Sequence, residues 1–287
     1  MISQMRRMIA RLRPFRLVAY ALMICLALAT AAPFIWMLST AFKLPKQVYS
    51  WPPSLLPNPW MFSNFPFAWK AAPFGRFCIN TCIVCALIII ERLLFSTLAA
   101  YAFARLDFPG RNLWFTLLLA TMMIPGQVTL VPVFLITKRL GWLNTYQGLA
   151  LPSLASAFII FWLRQFFMTI PRELEEAARI DGASRFRILW RIVIPLSKPA
   201  IATLTLFSFN EGWNMFLWPL IATTKQDMRT IEVGLSFLRL QLGGQTAAYE
   251  IPALRAGNTM AIMPVILVYL VLQRQFVQGI ALTGLKG

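Results

Sequence analysis

Long apolar stretches alternate with short charged segments along the whole chain. Six of these stretches have the length of a membrane span: residues 17–42, 77–104, 112–137, 140–163, 199–224 and 256–273. An α-helix needs about 20 mostly apolar residues to cross a hydrocarbon core roughly 30 Å thick, and it satisfies its own backbone groups in lipid. The pattern therefore predicts an all-α membrane protein with six transmembrane helices, whose transmembrane domain comprises residues 17–287.

Composition and charge agree with a membrane location. Apolar residues make up 59% of the 287 residues, and the mean hydropathy is +0.66. The formal net charge is +17, but the basic residues flank the apolar stretches, which argues against a nucleic-acid partner. The arm of residues 1–16 carries five arginines and no acidic residue. Because basic residues accumulate on the cytoplasmic side, we expect cytoplasmic N and C termini in a multi-pass protein of the cell (inner) membrane.

The first apolar stretch could also belong to a secretory signal peptide, since Ala29-Thr30-Ala31 imitates a cleavage site. The apolar run continues to Phe42, however, and is longer than the apolar region of such a peptide. We therefore expect a retained membrane anchor at this end of the chain.

Two segments between predicted spans are expected on the periplasmic side. Residues 43–76 are rich in proline and carry three tryptophans, Trp51, Trp60 and Trp69. Proline at this density disfavours regular helix, and tryptophan rings suit the headgroup region, so we expect an extended cap or an interfacial arm outside the membrane. Residues 225–255 contain a Gly-Gly pair that allows a tight turn, and we expect a loop there.

Prolines also fall inside the predicted spans: Pro125, Pro132, Pro152, Pro219 and Pro264. Each proline removes a backbone donor and is expected to break its helix. The freed carbonyl groups need neighbouring protein or water, so the helices are expected to pack as a bundle.

A charged amphipathic segment, residues 171–198, separates the fourth and fifth predicted spans, and we call it the charged loop. Its sequence predicts two short helices, the first beginning at Pro171 and stopped by Gly182 in a left-handed conformation. Acidic residues complement the dipole of its first turn: Glu173, Glu175 and Glu176. Ser184 can cap the second helix, which Pro195 closes. Four residues give that helix an apolar face: Phe186, Leu189, Trp190 and Val193. A helical hairpin lying on the membrane surface is the alternative interpretation.

Polar residues inside the predicted spans are candidates for function, because such side chains are costly in lipid. Asn210, Trp213 and Asn214 have the spacing of one helix face and would offer two amides and an indole ring to a sugar. The same three residues could instead serve helix packing. Glu91 and Arg92 in the second span point about 100° apart. Either the second span contacts a partner subunit or water at these two residues, or the two residues neutralise each other near the membrane interface.

The charged loop resembles the EAA loop of permease subunits in binding-protein-dependent ATP-binding-cassette (ABC) importers, through Glu176-Ala177-Ala178-x₃-Gly182-x₉-Ile192-x-Ile194-Pro195. The family usually has leucine where Ile194 stands. The chain is also similar to the carbohydrate-uptake branch, and to the second permease of the maltose-transporter type, over most of its length. The motifs that carry this likeness are residues 80–81, 99–105, 108–111, 123–125, 141–145, 213–219 and 279–287.

The resemblance implies a set of partners. Such a permease pairs with a second permease subunit, receives solute from an extracytoplasmic solute-binding protein and is driven by two cytoplasmic ATPase subunits. The residues that would contact the ATPase are Glu176, Ala177, Ala178 and Gly182, with Asp181 as a secondary contact. Gly243, Gly244 and Gln245 would contact the binding protein, although an ordinary connecting loop is the alternative. In the well-known relative, contacts with the ligand come largely from the partner permease.

Other functions fit the sequence less well. Cys78, Cys82 and Cys85 share one helical stripe, which fits a helix contact better than a thiolate metal site. The sequence has no histidine and no Gly-x₄-Gly-Lys-Ser/Thr motif, so imidazole catalysis and ATP binding at a P-loop are excluded. We therefore expect no catalytic residue, metal or cofactor in this chain, and ATP bound by partner subunits.

These observations together predict the permease subunit of an ATP-driven importer, forming half of the translocation path for a sugar or sugar-like solute. Glycerol 3-phosphate or another polyol derivative is the alternative solute. A secondary transporter is a less favoured alternative, since Glu91 and Glu211 are the only candidate ion-coupling carboxylates in the spans and no internal repeat is evident.

Overall fold

The computed structural model describes residues 2–242 and 247–284. Within these ranges the chain is helical and contains no β-strand, which confirms the all-α prediction. The α-helices are α1 Ile2–Ala41, α2 Pro45–Val48, α3 Asn64–Ala71, α4 Phe74–Arg105, α5 Arg111–Ala120, α6 Gly126–Arg139, α7 Tyr146–Ala150, α8 Ala157–Met168, α9 Glu173–Ile180, α10 Arg185–Ile188, α11 Ile194–Leu196, α12 Lys198–Trp213, α13 Leu217–Ala222, α14 Ile231–Leu242 and α15 Ala247–Gly284. Short 3₁₀ helices lie at Thr121–Met123, Leu151–Ser153 and Gln226–Met228, and a π-helix at Leu189–Val193.

The described helices can supply six membrane spans. Three of them are long and apolar enough to cross a membrane alone: Arg16–Ala41, Phe74–Arg105 and Ile251–Gln273. Three bent helix pairs complete the number if each pair is one span: Arg111–Met123 with Gly126–Arg139, Tyr146–Ser153 with Ala157–Met168, and Arg185–Leu196 with Lys198–Trp213. Their bends are 100°, 51° and 81°, respectively. Two of these breaks fall in the third and fourth predicted spans, whereas the third break lies where the charged loop meets the fifth predicted span.

The boundaries and breaks of the spans differ in places from the predictions. The fourth predicted span, 140–163, begins too early, because the chain turns at Gly141 and Asn144, which both have positive φ. The helical pair replaces it at Tyr146–Met168. Pro132 and Pro264 lie inside continuous helices, so the expected breaks at these two residues are wrong.

The two predicted periplasmic segments contain more helix than expected. Residues 43–76 include α2 and α3, and Pro66 lies in the first turn of α3, where no backbone donor is needed. The expected absence of regular helix therefore holds mainly for residues 49–63, which lie between α2 and α3. Residues 225–255 include α14 and the start of α15, so a plain loop is wrong there too.

One compact unit comprises Met1–Ala71 and Leu238–Met260. The side-chain amide of Asn64 donates to the carbonyl groups of Ala41 (2.9 Å) and Lys43 (3.0 Å), which connects α3 to the end of α1. The small core of this unit consists of Ala41, Ala68, Ala253 and Ala256. The apolar window of Arg16–Ala41 has no residue buried within the chain, so its surface suits lipid or another subunit.

A second compact unit comprises Ala72–Phe237 and Ala261–Gly287. Helix α4 packs against α8 and α12 at its centre. Gly212 allows α12 to approach α4 closely, because an added Cβ there would lie 3.2 Å from Cys85 Sγ. The main core brings the charged loop against these helices and consists of Ala100, Tyr101, Ala104, Ile159, Ile160, Leu163, Phe167, Ile170, Ile188, Leu189, Val193 and Leu204.

Candidate functional site

The first helix of the charged loop, α9, has a defined start and a capped C-terminal end. It begins at Glu173, two residues later than expected from Pro171, because the carbonyl of Arg172 accepts the first helical hydrogen bonds. Gly182 has φ +77°, and the following amide, that of Ala183, donates to the carbonyl of Ala178 at 2.9 Å. This pattern is a Schellman motif, so the predicted left-handed stop at Gly182 is confirmed.

The residues of the EAA motif lie together on α9 and at its end. Glu176, Ala177, Asp181 and Gly182 are exposed, whereas Ala178 is half-buried and packs against the main core. The helix therefore presents a charged and small-residue surface to its surroundings while one side is fixed to the membrane helices.

Glu175 is the buried residue of α9, a role that its position in the first turn does not reveal. Its Oε1 lies 2.6 Å from Arg105 Nε, and each side chain is only 4% exposed. The hydroxyl of Tyr101 donates to Oε2 at 3.3 Å. Arg105 Nη2 also donates to the carbonyl groups of Phe167 (2.7 Å) and Ile170 (2.6 Å). This network anchors α9 to the ends of α4 and α8.

The second helix of the charged loop begins as predicted but turns a different face inward. The Ser184 hydroxyl accepts a hydrogen bond from the backbone amide of Arg187 at 3.3 Å, which confirms the predicted cap. The predicted apolar face is wrong for Phe186 and Trp190, which are exposed. The π-helix Leu189–Val193 changes the angular spacing of the side chains, because its hydrogen bonds join residues i and i+5. The buried residues are Ile188, Leu189 and Val193.

A bend of 81° separates Arg185–Leu196 from α12. Ser197 lies at this bend with its side chain fully buried, and its hydroxyl donates to the carbonyl of Val193 at 2.7 Å. The charged loop and the fifth predicted span are therefore joined through a packed corner.

The three path candidates on α12 do not share one exposed face. Asn210 and Asn214 are exposed, and the Asn214 amide donates to the Asn210 carbonyl at 2.8 Å and to its side-chain oxygen. Trp213 is 2% exposed, and its indole donates to the Ala261 carbonyl at 3.1 Å. Neighbouring residues on a helix point about 100° apart, so Trp213 turns into the protein while Asn214 turns out.

Arg92, whose role the sequence leaves open, pairs with a distant residue and not with Glu91. Its Nη1 lies 2.5 Å from Glu211 Oε2, and its Nη2 lies 2.9 Å from Oε1. Arg92 Nε donates to the carbonyl of Ser153 at 2.8 Å. The guanidinium therefore connects α4, α12 and the broken fourth span.

Other candidate residues contribute less to this arrangement. Gly243, Gly244 and Gln245 lie outside the described residues. Cys85 is buried against Gly212, whereas Cys82 is exposed. In the part of the chain that the structure describes, no group of three His, Cys, Asp or Glu side chains could hold a metal ion.

The sequence is similar to those of known transport permeases. Residues 93–282 match the family described as binding-protein-dependent transport system inner membrane component. The chain is 38% identical over 240 residues to the sn-glycerol-3-phosphate transport system permease protein UgpE of Yersinia enterocolitica, with 82% of this chain and 84% of the relative covered. It is 34% identical over 271 residues to the diacetylchitobiose uptake system permease protein NgcG of Streptomyces coelicolor, with 94% and 88% covered.

The fold is also similar to chains of solved transporters. One belongs to a bacterial ABC transporter involved in the import of the acidic polysaccharide alginate, with a TM-score of 0.80, 29% identity, and 92% of this chain and 97% of that chain covered. Another belongs to a bacterial alginate ABC transporter in complex with an alginate pentasaccharide-bound periplasmic protein, with a TM-score of 0.64 and 20% identity. The chain thus belongs to the family of inner-membrane components of binding-protein-dependent transport systems, as a permease subunit of an ABC importer.

Proposed function

We propose that this permease forms half of a translocation path with a second permease subunit, and that two ATPase subunits drive the pair from the cytoplasm. In this proposal both termini and the charged loop face the cytoplasm. ATP is bound and hydrolysed by the ATPase subunits, and this chain contributes no catalytic group, metal or cofactor of its own. An extracytoplasmic solute-binding protein delivers the solute, and Gly243, Gly244 and Gln245 belong to the segment that contacts it.

The observation that carries the proposal is the way α9 is held. Its EAA residues are exposed, while Glu175 is fixed by a buried ion pair with Arg105. A short helix can transmit a rotation only if it is attached firmly, and the buried network provides that attachment. The ATPase would contact Glu176, Ala177, Ala178, Asp181 and Gly182, and the corner at Ser197 would pass the movement to α12.

We propose a sugar or sugar-like solute. The exposed amides of Asn210 and Asn214 are suited to hydroxyl groups, and Trp213 supports the helix that carries them. The names of the relatives give two solutes, glycerol 3-phosphate for UgpE and diacetylchitobiose for NgcG, so a polyol derivative is the second candidate. Isothermal titration of the cognate binding protein with both compounds would decide between them.

Two substitutions test the contact with the ATPase. Gly182→Pro removes the left-handed turn, and Glu176→Arg reverses an exposed charge of the motif. Both variants should insert into the membrane normally but lose solute uptake and co-purification of the ATPase. Asp227→Arg, a charge reversal at an exposed residue beyond α13, is the matched control and should keep the ATPase bound. Normal uptake by either charged-loop variant would refute the proposal.

A further inference from the structure

The ion pair between Arg92 and Glu211 is exposed at one end only. The Arg92 side chain is 5% exposed, whereas the Glu211 side chain is 63% exposed. Each nitrogen of the guanidinium already donates, two to Glu211 and one to the Ser153 carbonyl. A molecule that approaches this surface therefore meets the carboxylate and not the guanidinium.

The position of Glu211 within a span limits what can lie beside it. A charged side chain in the membrane faces the interior of a bundle or a water-filled cavity, because exposure to hydrocarbon is costly. The polar residues exposed next to Glu211 are Asn210 on α12 and Asn214 at the C-terminal cap of the helix, and the exposed Phe207 lies one turn earlier. Three neighbouring polar side chains form a surface that suits water and solute better than an apolar helix contact.

Glu211 supplies this surface with hydrogen-bond acceptors. The carboxylate has lone pairs that Arg92 does not use, and Asn214 carries an amide oxygen, whereas the Asn210 side-chain oxygen already accepts from Asn214. A hydroxyl group that donates to a carboxylate forms a strong, charge-assisted hydrogen bond. A phosphate or carboxylate on the solute would receive no hydrogen bond from the Glu211 carboxylate, and each nitrogen of the Arg92 guanidinium already donates.

We propose that Glu211, held in place by Arg92, forms with Asn210 and Asn214 a hydroxyl-binding site on the translocation path that favours neutral polyhydroxylated solutes over anionic ones. This inference rests on the proposed function, because it places the exposed surface of α12 on the path. Arg92 is a positioning residue, and Glu211 determines specificity.

The local charge can be measured without knowing the natural solute. In the complete importer, Asn210→Cys is introduced into a chain whose four native cysteines are replaced by serine. The cysteine is labelled with a cationic reagent, trimethylammonioethyl methanethiosulfonate, and with an anionic one, sulfonatoethyl methanethiosulfonate. The ratio of the two labelling rates should fall by about fivefold when Glu211→Gln is added, since the carboxylate charge is removed. The intrinsic reactivities of the reagents cancel in this comparison.

Two control variants separate the local charge from structural damage. Glu211→Asp keeps the charge and should preserve the labelling ratio. Glu232→Gln removes a carboxylate on α14, outside the candidate spans, and should leave the ratio unchanged. A cysteine at position 210 that neither reagent labels, or a ratio that Glu211→Gln does not change, would overturn the assignment of this surface.

The proposed solute class has its own test, which fails separately from the proposed function. Titration of the cognate binding protein should find a neutral saccharide such as N,N′-diacetylchitobiose as ligand. Glycerol 3-phosphate as the sole ligand would overturn the preference for neutral solutes while leaving the importer itself intact. Absence of ATP-dependent uptake in the unsubstituted importer would instead remove the proposed function.

Discussion

At the scale of single residues, Glu175 and Arg105 form the contact on which the position of the charged loop depends. Both side chains are 4% exposed, so removal of one partner leaves a buried charge without compensation. Loss of one partner of a buried pair typically destabilises a protein by about 3–5 kcal/mol. We expect Glu175→Ala to lower the melting temperature of the detergent-solubilised importer strongly, as followed by tryptophan fluorescence.

Matched variants identify the cause of that loss. Glu173→Ala changes an exposed glutamate in the same helical turn and should leave the melting temperature nearly unchanged. Replacement of both partners, Arg105→Met with Glu175→Met, should restore only part of the stability, because it removes the unpaired charge but leaves the Phe167 and Ile170 carbonyls without their donor. Equal effects of Glu173→Ala and Glu175→Ala would contradict the importance of the buried pair.

At the scale of elements, the end of α9 depends on one glycine. Gly182 has φ +77°, and an added Cβ would meet no atom within 4 Å, so a side chain there causes backbone strain without a clash. The left-handed conformation costs a residue with a Cβ roughly 1–2 kcal/mol. We expect Gly182→Ala to reduce stimulation of the ATPase by the loaded binding protein while the importer still assembles.

Gly141 offers a matched control for this substitution. It has φ +71° and equally open space around a Cβ, but it lies in the turn after α6, outside the charged loop. Gly141→Ala should cost similar stability and leave ATPase stimulation unchanged. If the two alanine variants lowered stimulation equally, strain in general would explain the effect, and the special role of the α9 terminus would be lost.

Elements that depend on neighbouring residues were predictable, whereas contacts between distant residues were not. The stop at Gly182 and the cap at Ser184 follow from local backbone chemistry. Glu175 is different, because its partner Tyr101 lies 74 residues earlier, and a buried glutamate in a charged helix has no periodic signature. Phe186 and Trp190 were assigned to the wrong face, since nothing in the sequence marks a π-helix.

At the scale of the whole molecule, the charged loop and the path candidates belong to the same compact unit. The apolar pattern predicts the three spans that a single helix forms, because the length and hydropathy of a stretch are enough to identify a helix that can cross a membrane. The prolines predict two of the three bends, since Pro125 lies at the 100° break and Pro152 beside the 51° break, whereas the 81° bend at Ser197 is not predicted. One of these bends joins the charged loop to α12, so the mechanism depends on a feature that hydropathy does not reveal.

This connection predicts that nucleotide, and not an ion gradient, drives transport. The path candidates at the end of α12 are linked through Ser197 to the charged loop, whose EAA residues Glu176, Ala177, Asp181 and Gly182 are exposed. Of the two candidate ion-coupling carboxylates, Glu211 is held by Arg92 through two hydrogen bonds. Proteoliposomes with both permeases, the ATPases and the loaded binding protein should take up solute only with ATP inside. Uptake by this chain alone under an imposed proton or sodium gradient would favour the secondary-transporter alternative. A secondary transporter needs neither the charged loop nor an ATPase.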